Sequence, residues 1–264
     1  MPSQLHAFCD IYFIIAKYLC VAVTNVACPR AADIILALDQ SSSIEFDGGP
    51  DTWHTHVLGF AKGIVGAFPI GENLTQIGLL KFSDVEEIVF QLNTYSDHQS
   101  LLNAINNTDI NGGQTNLTAP LRTARQVMFA PQNGARLGIP KILVLLVHGM
   151  ANVDTQNTLS EANQTKAANI TIFTVGITER VDEAELRTIA STPDYVFFVS
   201  NFTQLNSLVP TFTEDLCREA AVLPTTTTTS VTTTPSTTAT TTITPTTTTT
   251  AATATTIERV ARGR

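Results

Sequence analysis

Three features of the sequence predict an α/β fold, doubly wound around a mostly parallel sheet with one antiparallel edge strand, followed by a disordered C-terminal tail. Apolar runs of strand length recur between Asp33 and Val199. Most of them are separated by segments whose apolar residues repeat at helical spacing. One pair is separated only by Ser83-Asp84, too short for a crossover. Alternating strands and helices with uninterrupted apolar strands imply a mostly parallel, Rossmann-like sheet covered on both faces.

The first strand is Asp33–Leu38, an apolar run typical of a strand buried on both sides. Trp53, Val57, Phe60, Ala61, Ile64, Val65 and Phe68 then form one helical stripe. Ile77–Phe82 and Val85–Leu92 pair across Ser83-Asp84 as an antiparallel hairpin. Leu101, Leu102 and Ile105 mark a short helix after Asp97, and Leu121, Ala124 and Met128 mark another. Ile142–Val147 is a second fully buried run. Thr155–Ala168 reads as a polar, weakly amphipathic helix. Ile170–Val175 and Tyr195–Val199 are strands flanking a helix around Glu183–Ala190. The last helix carries Leu205, Leu208, Val209, Phe212 and Leu216 and is expected to end at Cys217.

The 264 residues divide unevenly around this block. Residues 1–27 read as a signal peptide, because Ile11–Val23 is mostly apolar and small residues follow it. The alternatives are a buried strand or an uncleaved anchor. Residues 28–217 form the foldable domain. Residues 218–264 read as a threonine-rich, mucin-like tail, which from Pro224 onward has no aromatic residue and no charge before Glu258. Such a segment buries too little apolar surface to offset its ordering entropy. Its Thr, Pro and Ser suit an O-glycosylated stalk, with an unmodified linker as the alternative. The chain's end has no apolar tail for a lipid anchor, so a secreted, extracellular product without a membrane span is expected.

Cleavage would remove Cys9 and Cys20, leaving Cys28 and Cys217 at the borders of the domain. A disulfide between them would close nearly the whole domain and contribute roughly 2–4 kcal/mol. Two separate buried thiols are the other reading. Asn73, Asn106, Asn116, Asn163, Asn169 and Asn201 each begin an Asn-X-Ser/Thr sequon. All except Asn116 are expected to carry N-glycans. The net charge of −8 and the absence of a basic run before the terminal arginines exclude nucleic acid as the expected partner.

Ligands of doubly wound sheets sit beyond the carboxyl ends of the strands. The first strand ends in Asp39-Gln40-Ser41-Ser42-Ser43, one carboxylate and two hydroxyls, a hard-oxygen set suited to Mg²⁺. Gly112-Gly113-Gln114-Thr115 precedes a helix and offers a further hydroxyl. The central strand ends in Val147-His148-Gly149.

Asp39-X-Ser41-X-Ser43, followed by Gly113-X-Thr115 before a helix, resembles the metal-ion-dependent adhesion site of von Willebrand factor type A domains. The closing stretches TVGITERVDEAELRTIAS and YVFFVSNFTQL are similar to the same family, and the resemblance covers about 190 residues. It implies direct metal ligation by Ser41 and Ser43, a direct or water-mediated role for Asp39, and ligation by Thr115 in the ligand-binding form. It also implies Mg²⁺, Mn²⁺ or Ca²⁺ as the ion, an acidic group of an extracellular matrix or cell-surface protein as the ligand, and a disulfide between Cys28 and Cys217. A glycan on Asn116 would obstruct that ligand.

The sequence departs from the family at His148, where the pattern has aspartate. Neutral imidazole favours Zn²⁺ or Cu²⁺ over Mg²⁺. Weakened Mg²⁺ binding, altered metal preference and a metal-free structural scaffold with a degenerate site are the three readings. Asp154 is close enough in sequence to be considered as a substitute carboxylate. A hydrolytic or phosphoryl-transfer enzyme is the rival class. It is disfavoured because neither a phosphate-binding glycine loop nor a Gly-X-Ser-X-Gly elbow is present. The acidic residues Glu45, Asp47 and Asp51 read as solvated surface. Trp53 reads as core, and His54 and His56, two apart on a helix, as unpaired.

Overall fold

A computed structural model describes residues 28–221. The signal-peptide reading and the threonine-rich segment from Pro224 onward lie outside the described residues. β1 (Asp33–Asp39), β2 (Gln76–Phe82), β3 (Glu86–Phe90), β4 (Lys141–His148), β5 (Ile170–Ile177) and β6 (Val196–Val199) form one sheet in the order β3-β2-β1-β4-β5-β6. Every pairing is parallel except β2 with β3.

The chain runs outward from β1 through β2 to β3, then returns to place β4 on the other side of β1. The winding direction thus reverses between β1 and β4. Their carboxyl ends flank the crevice that such a reversal opens.

Alternation along the central strands builds two cores. Ile34, Leu36 and Leu38 of β1, with Ile142, Val144 and Leu146 of β4, face one of them. Ile35 and Ala37, with Leu143, Leu145 and Val147, face the other. Successive side chains of a strand point to opposite faces, so a strand covered twice must be apolar at every position. Each large aliphatic side chain buried this way contributes about 1.5–3 kcal/mol.

The first core is covered by α2 (Leu58–Ala67), α3 (His98–Asn106) and α7 (Leu205–Ala220). The second is covered by α4 (Thr118–Thr123), α5 (Thr155–Ala167) and α6 (Glu183–Ile189). The low amphipathicity of α5 has a specific cause: much of its buried face is polar. Glu161 pairs with Arg122 and Arg125 of the α4 region, and Thr158 exchanges a hydroxyl bond with Thr118 at 3.0 Å. Hydrogen bonds replace part of the apolar stripe that periodicity looks for.

Several sequence expectations need correction. The last helix does not stop at Cys217 but runs on to Ala220, whose side chain packs into the first core. The domain therefore extends beyond 217, and the first residues assigned to the tail are helical. The stripe starting at Trp53 is not one α-helix: Trp53–Val57 is a π-helical turn leading into α2. It follows a separate short helix, α1 (Ser43–Gly48). Trp53 is fully buried and donates from Nε1 to the Thr108 carbonyl at 2.7 Å.

Cys28 and Cys217 are joined by a disulfide, with their Cα atoms 5.5 Å apart. It ties the segment entering β1 to α7.

Candidate metal centre

The turn after β1 is shaped by its own polar groups. Asp39 is buried, and its Oδ1 accepts the Ser41 amide at 2.8 Å while its Oδ2 accepts the His148 amide at 2.9 Å. One carboxylate thus clamps the ends of β1 and β4 across the reversal point. Each oxygen retains a second lone pair. Burial raises the Asp39 pKa to about 7, and the hydrogen bonds from His148 and Ser41 offset only part of that rise.

The intervening residues of the motif staple it to the glycine loop. Ser42 donates its amide to the Gly113 carbonyl at 3.0 Å, and its Oγ accepts the Gly113 amide at 2.9 Å. Gln40 Oε1 accepts the Asn111 amide at 3.1 Å. Gly113 has φ +119°, and a Cβ there would come within 2.8 Å of the Ser83 side chain. Only glycine meets both conditions.

This loop delivers Thr115, which is buried and held on its backbone by Asn152. The Asn152 side chain accepts the Thr115 amide at 3.1 Å, and the Asn152 amide donates to the Thr115 carbonyl at 2.9 Å. Asn116 is also buried, and its Oδ1 accepts the amides of Thr118 and Ala119 at 3.0 and 3.1 Å. It caps the entry to α4 and leaves no room for a glycan. The other five sequon asparagines are exposed.

The hydroxyls of Ser41 and Ser43 lie 3.1 Å apart. Ser43 Oγ and, from the second loop, Thr115 Oγ1 stand 3.7 and 3.8 Å from the position a Cβ on Gly149 would occupy. Ser41, Ser43, Thr115 and Gly149 line one cleft of about 510 Å³, together with Gly113, Gln114, Met150, Asn152 and Arg180. Asp39 lies beneath this rim. The structure thus brings together the residues named from sequence.

His148 is fully buried, and its Nδ1 lies 2.9 Å from Ser43 Oγ. Its Nε2 has no well-aligned hydrogen bond but lies 3.4 Å from Asp47 Oδ2. Asp47 in turn pairs with Arg180 Nε at 2.9 Å. The ring packs against Phe202, with centroids 4.9 Å apart. Burial lowers the His148 pKa; Asp47 pulls it upward and Arg180 downward.

Two sequence readings change here. Asp47 is not simply solvated surface, since its side chain is only 16% exposed and faces the imidazole. Spacing carried a usable signal: Asp47 follows Ser43 by four residues, which places both on one face of α1. Asp154 does not take over the missing carboxylate's position. It lies 3.6 Å from Arg122, and its Oδ1 accepts from Gln156 and Asn157. Arg180 and Asn152 had no motif to mark them.

Among the described residues, no three His, Cys, Asp or Glu side chains cluster in a way that would hold a metal. Any cation here therefore depends on hydroxyl oxygens. Their spacing fits one: ligands about 2.1 Å from a six-coordinate ion stand about 3.0 Å apart along an octahedral edge. The Ser41–Ser43 separation of 3.1 Å matches that edge.

Comparison with known proteins agrees with this architecture. The chain is 34% identical over 188 residues to the collagen alpha-1(XII) chain of Notophthalmus viridescens, covering 70% of this chain and 19% of that one. It is 30% identical over 191 residues to the transmembrane cell adhesion receptor mua-3 of Caenorhabditis elegans, covering 71% of this chain and 5% of the receptor. The chain thus spans less than a quarter of the length of these curated relatives. Among solved structures, proximal thread matrix protein 1 from the mussel byssus, with a zinc-occupied MIDAS motif, superposes with a TM-score of 0.68 at 28% identity. That match covers 72% of this chain and 49% of the mussel protein. No helix of the described residues is long and apolar enough to cross a membrane. The von Willebrand factor type A domain profile matches residues 33–211, and the chain belongs to that family.

Proposed function

We propose that this protein is an extracellular adhesion or matrix-binding module that holds a divalent cation at Ser41, Ser43 and Thr115, above Asp39, and engages an acidic group of a protein partner. The observation that carries this reading is the meeting of hydroxyls from two separate loops over one buried carboxylate. A cation bound there would keep an open position for a carboxylate from outside, reached through the cleft. No glycine loop of the phosphate-binding type lines the cleft, which accords with binding rather than phosphoryl transfer. The collagen and adhesion-receptor relatives support a matrix or cell-surface partner, and the zinc in the mussel protein supports a capacity for divalent metal.

Titrating Mg²⁺ or Mn²⁺ into metal-free protein is expected to raise its melting temperature, and Ser41→Ala to abolish the rise. His148→Asp restores the family carboxylate and is expected to enlarge the Mg²⁺ effect. A melting curve indifferent to either ion in both the wild type and His148→Asp would remove the mechanism.

A metal-free scaffold is the second reading. It is favoured by the Ser43–His148 contact, which satisfies a would-be ligand internally. In that case the domain binds through surface complementarity alone.

Secretion with a cleaved leader, glycans at Asn73, Asn106, Asn163, Asn169 and Asn201, and an O-glycosylated stalk from about Pro224 onward complete the proposal. Peptide mapping by tandem mass spectrometry after N-glycosidase treatment of protein secreted from animal cells is expected to report deamidation at those five positions. Finding it at Asn116 would contradict the capping role described above.

A further inference from the structure

The cleft above Asp39 is lined by one charged side chain, Arg180, and by no carboxylate. We propose that Arg180 grips the partner's carboxylate, while Phe46 and Met150 hold the apolar side chains next to it in the partner's sequence. The occupant is then an exposed protein segment with one Asp or Glu set between large apolar residues. The inference rests on the acidic-partner part of the reading above and does not require the cation.

Three observations carry it. First, charge: Asp47 Oδ2 engages Arg180 through Nε at 2.9 Å, and the Arg180 side chain is 58% exposed. Its two terminal nitrogens have no hydrogen bond among the described residues, so they present the paired N–H groups that bind a carboxylate in bidentate fashion. Asn152, on the same lining, accepts the Thr115 amide through Oδ1, which leaves its NH₂ group as a further donor. His148, where the family pattern has aspartate, puts no negative charge beneath this rim.

Second, backbone: Thr178 adopts φ +61°, a left-handed conformation rare for a β-branched residue, and its Oγ1 accepts the Arg180 amide at 3.3 Å. Such conformations persist only where the surroundings hold them, and they cluster at binding sites. The turn carrying Arg180 is thus fixed in a costly shape that sets the guanidinium beside α1. Third, apolar exposure: Phe46 is 84% exposed and Met150 63% exposed. Phe46 follows Ser43 by three residues, about one turn along α1, and Met150 follows Gly149 on the cleft lining. A lone exposed apolar residue is ordinary. Two beside one charged cleft match the anchors of protein interfaces.

The test uses the full chain labelled with ¹³C-methyl methionine and ¹⁵N-arginine, in EDTA and again in Mg²⁺. The probe is the tripeptide Leu-Glu-Leu, acetylated and amidated at its ends, with Leu-Gln-Leu and Ser-Glu-Ser as controls. Leu-Glu-Leu is expected to shift the Met150 methyl and Arg180 Nε resonances in both solutions. Exchanging its Glu for Gln is expected to weaken binding about 10–100-fold, the range for a charge-assisted hydrogen bond. Arg180→Gln is expected to weaken Leu-Glu-Leu by the same factor and to leave Leu-Gln-Leu unchanged. Phe46→Ser combined with Met150→Ser is expected to erase the preference for Leu-Glu-Leu over Ser-Glu-Ser. All three side chains are exposed, so these variants keep the fold. The inference is overturned if Arg180→Gln keeps the preference for Glu over Gln, if the double variant keeps the preference for leucine, or if no peptide moves either resonance. Binding that needs Mg²⁺ and Ser41 but ignores Arg180 would leave the cation reading standing alone. Binding through Arg180 that is equal in EDTA and Mg²⁺ would uphold this inference and remove the cation from recognition.

Discussion

Replacing Cys28 and Cys217 together by serine is expected to destabilise the domain by about 5 kcal/mol, the chain-entropy value for a loop of this size. The two residues are 189 apart in sequence, so the cross-link closes almost the entire folded unit. Denatured chain freed of that link gains conformational freedom that folding must then remove. The entropic part alone is an upper bound, because denatured chains are more compact than the ideal coil. Burial adds a second contribution, because a serine at position 28 would place an unpaired hydroxyl in the first core where Cys28 is buried. For a domain of this length each kcal/mol moves the melting temperature by about 2–4 °C, which gives a fall of roughly 10–20 °C. Calorimetry of the double variant, beside wild type unfolded in reductant, measures it. A change of only a degree or two in both would show that the helices covering the first core hold the chain ends without the bond.

The second large effect is a pH dependence centred on Asp39. Burial raises its pKa from 3.8 to about 7 in the folded protein. A folded-state pKa above the unfolded one means that the native state binds the proton more tightly. The associated stability is therefore complete below about pH 4 and disappears as pH rises through 7. A rise from 3.8 to about 7 corresponds to about 4 kcal/mol. Urea unfolding of metal-free wild type and Asp39→Asn across pH 4–8 isolates this group, because other titrations cancel in the difference. The amide cannot accept both backbone N–H groups, so the variant carries a constant penalty. That offset leaves the slope untouched. Relative to wild type, the variant is expected to gain about 4 kcal/mol between pH 4 and 8. A pH-independent difference would mean that the two backbone amides solvate the carboxylate fully. A divalent cation should flatten the wild-type curve, since a nearby positive charge favours the ionised form.

The strands were readable because both faces of the sheet are covered. With no solvent side, Ile34–Leu38 and Ile142–Val147 are apolar throughout, and such runs stand out. The hairpin was readable because a connection this short, Ser83 to Val85 in the structure, permits no crossover. Helix α5 was legible in its length but not in its packing, since Glu161, Thr158 and Thr165 are buried through hydrogen bonds that hydropathy does not register. The break at Trp53–Val57 was hidden, because a π-helical turn keeps nearly the same apolar spacing as an α-helix.

At the site, Asp39, Ser41, Ser43, Thr115 and His148 were each visible as residues at strand ends. What each one touches was not. Asp47 and Arg180 come from segments more than 130 residues apart, yet they meet in one line behind the imidazole.

The sequence by itself determined the strand–helix alternation, the single antiparallel edge and the identity of the oxygen donors. These follow from local periodicity and from what each side chain offers chemically. Only the tertiary structure decided that Asp39 clamps β1 to β4, that His148 turns one nitrogen to Ser43 and the other to Asp47, and that Asn116 serves as a cap. Such contacts are set by the winding reversal between β1 and β4, which brings distant loops to within hydrogen-bonding distance without leaving any periodic trace in the chain.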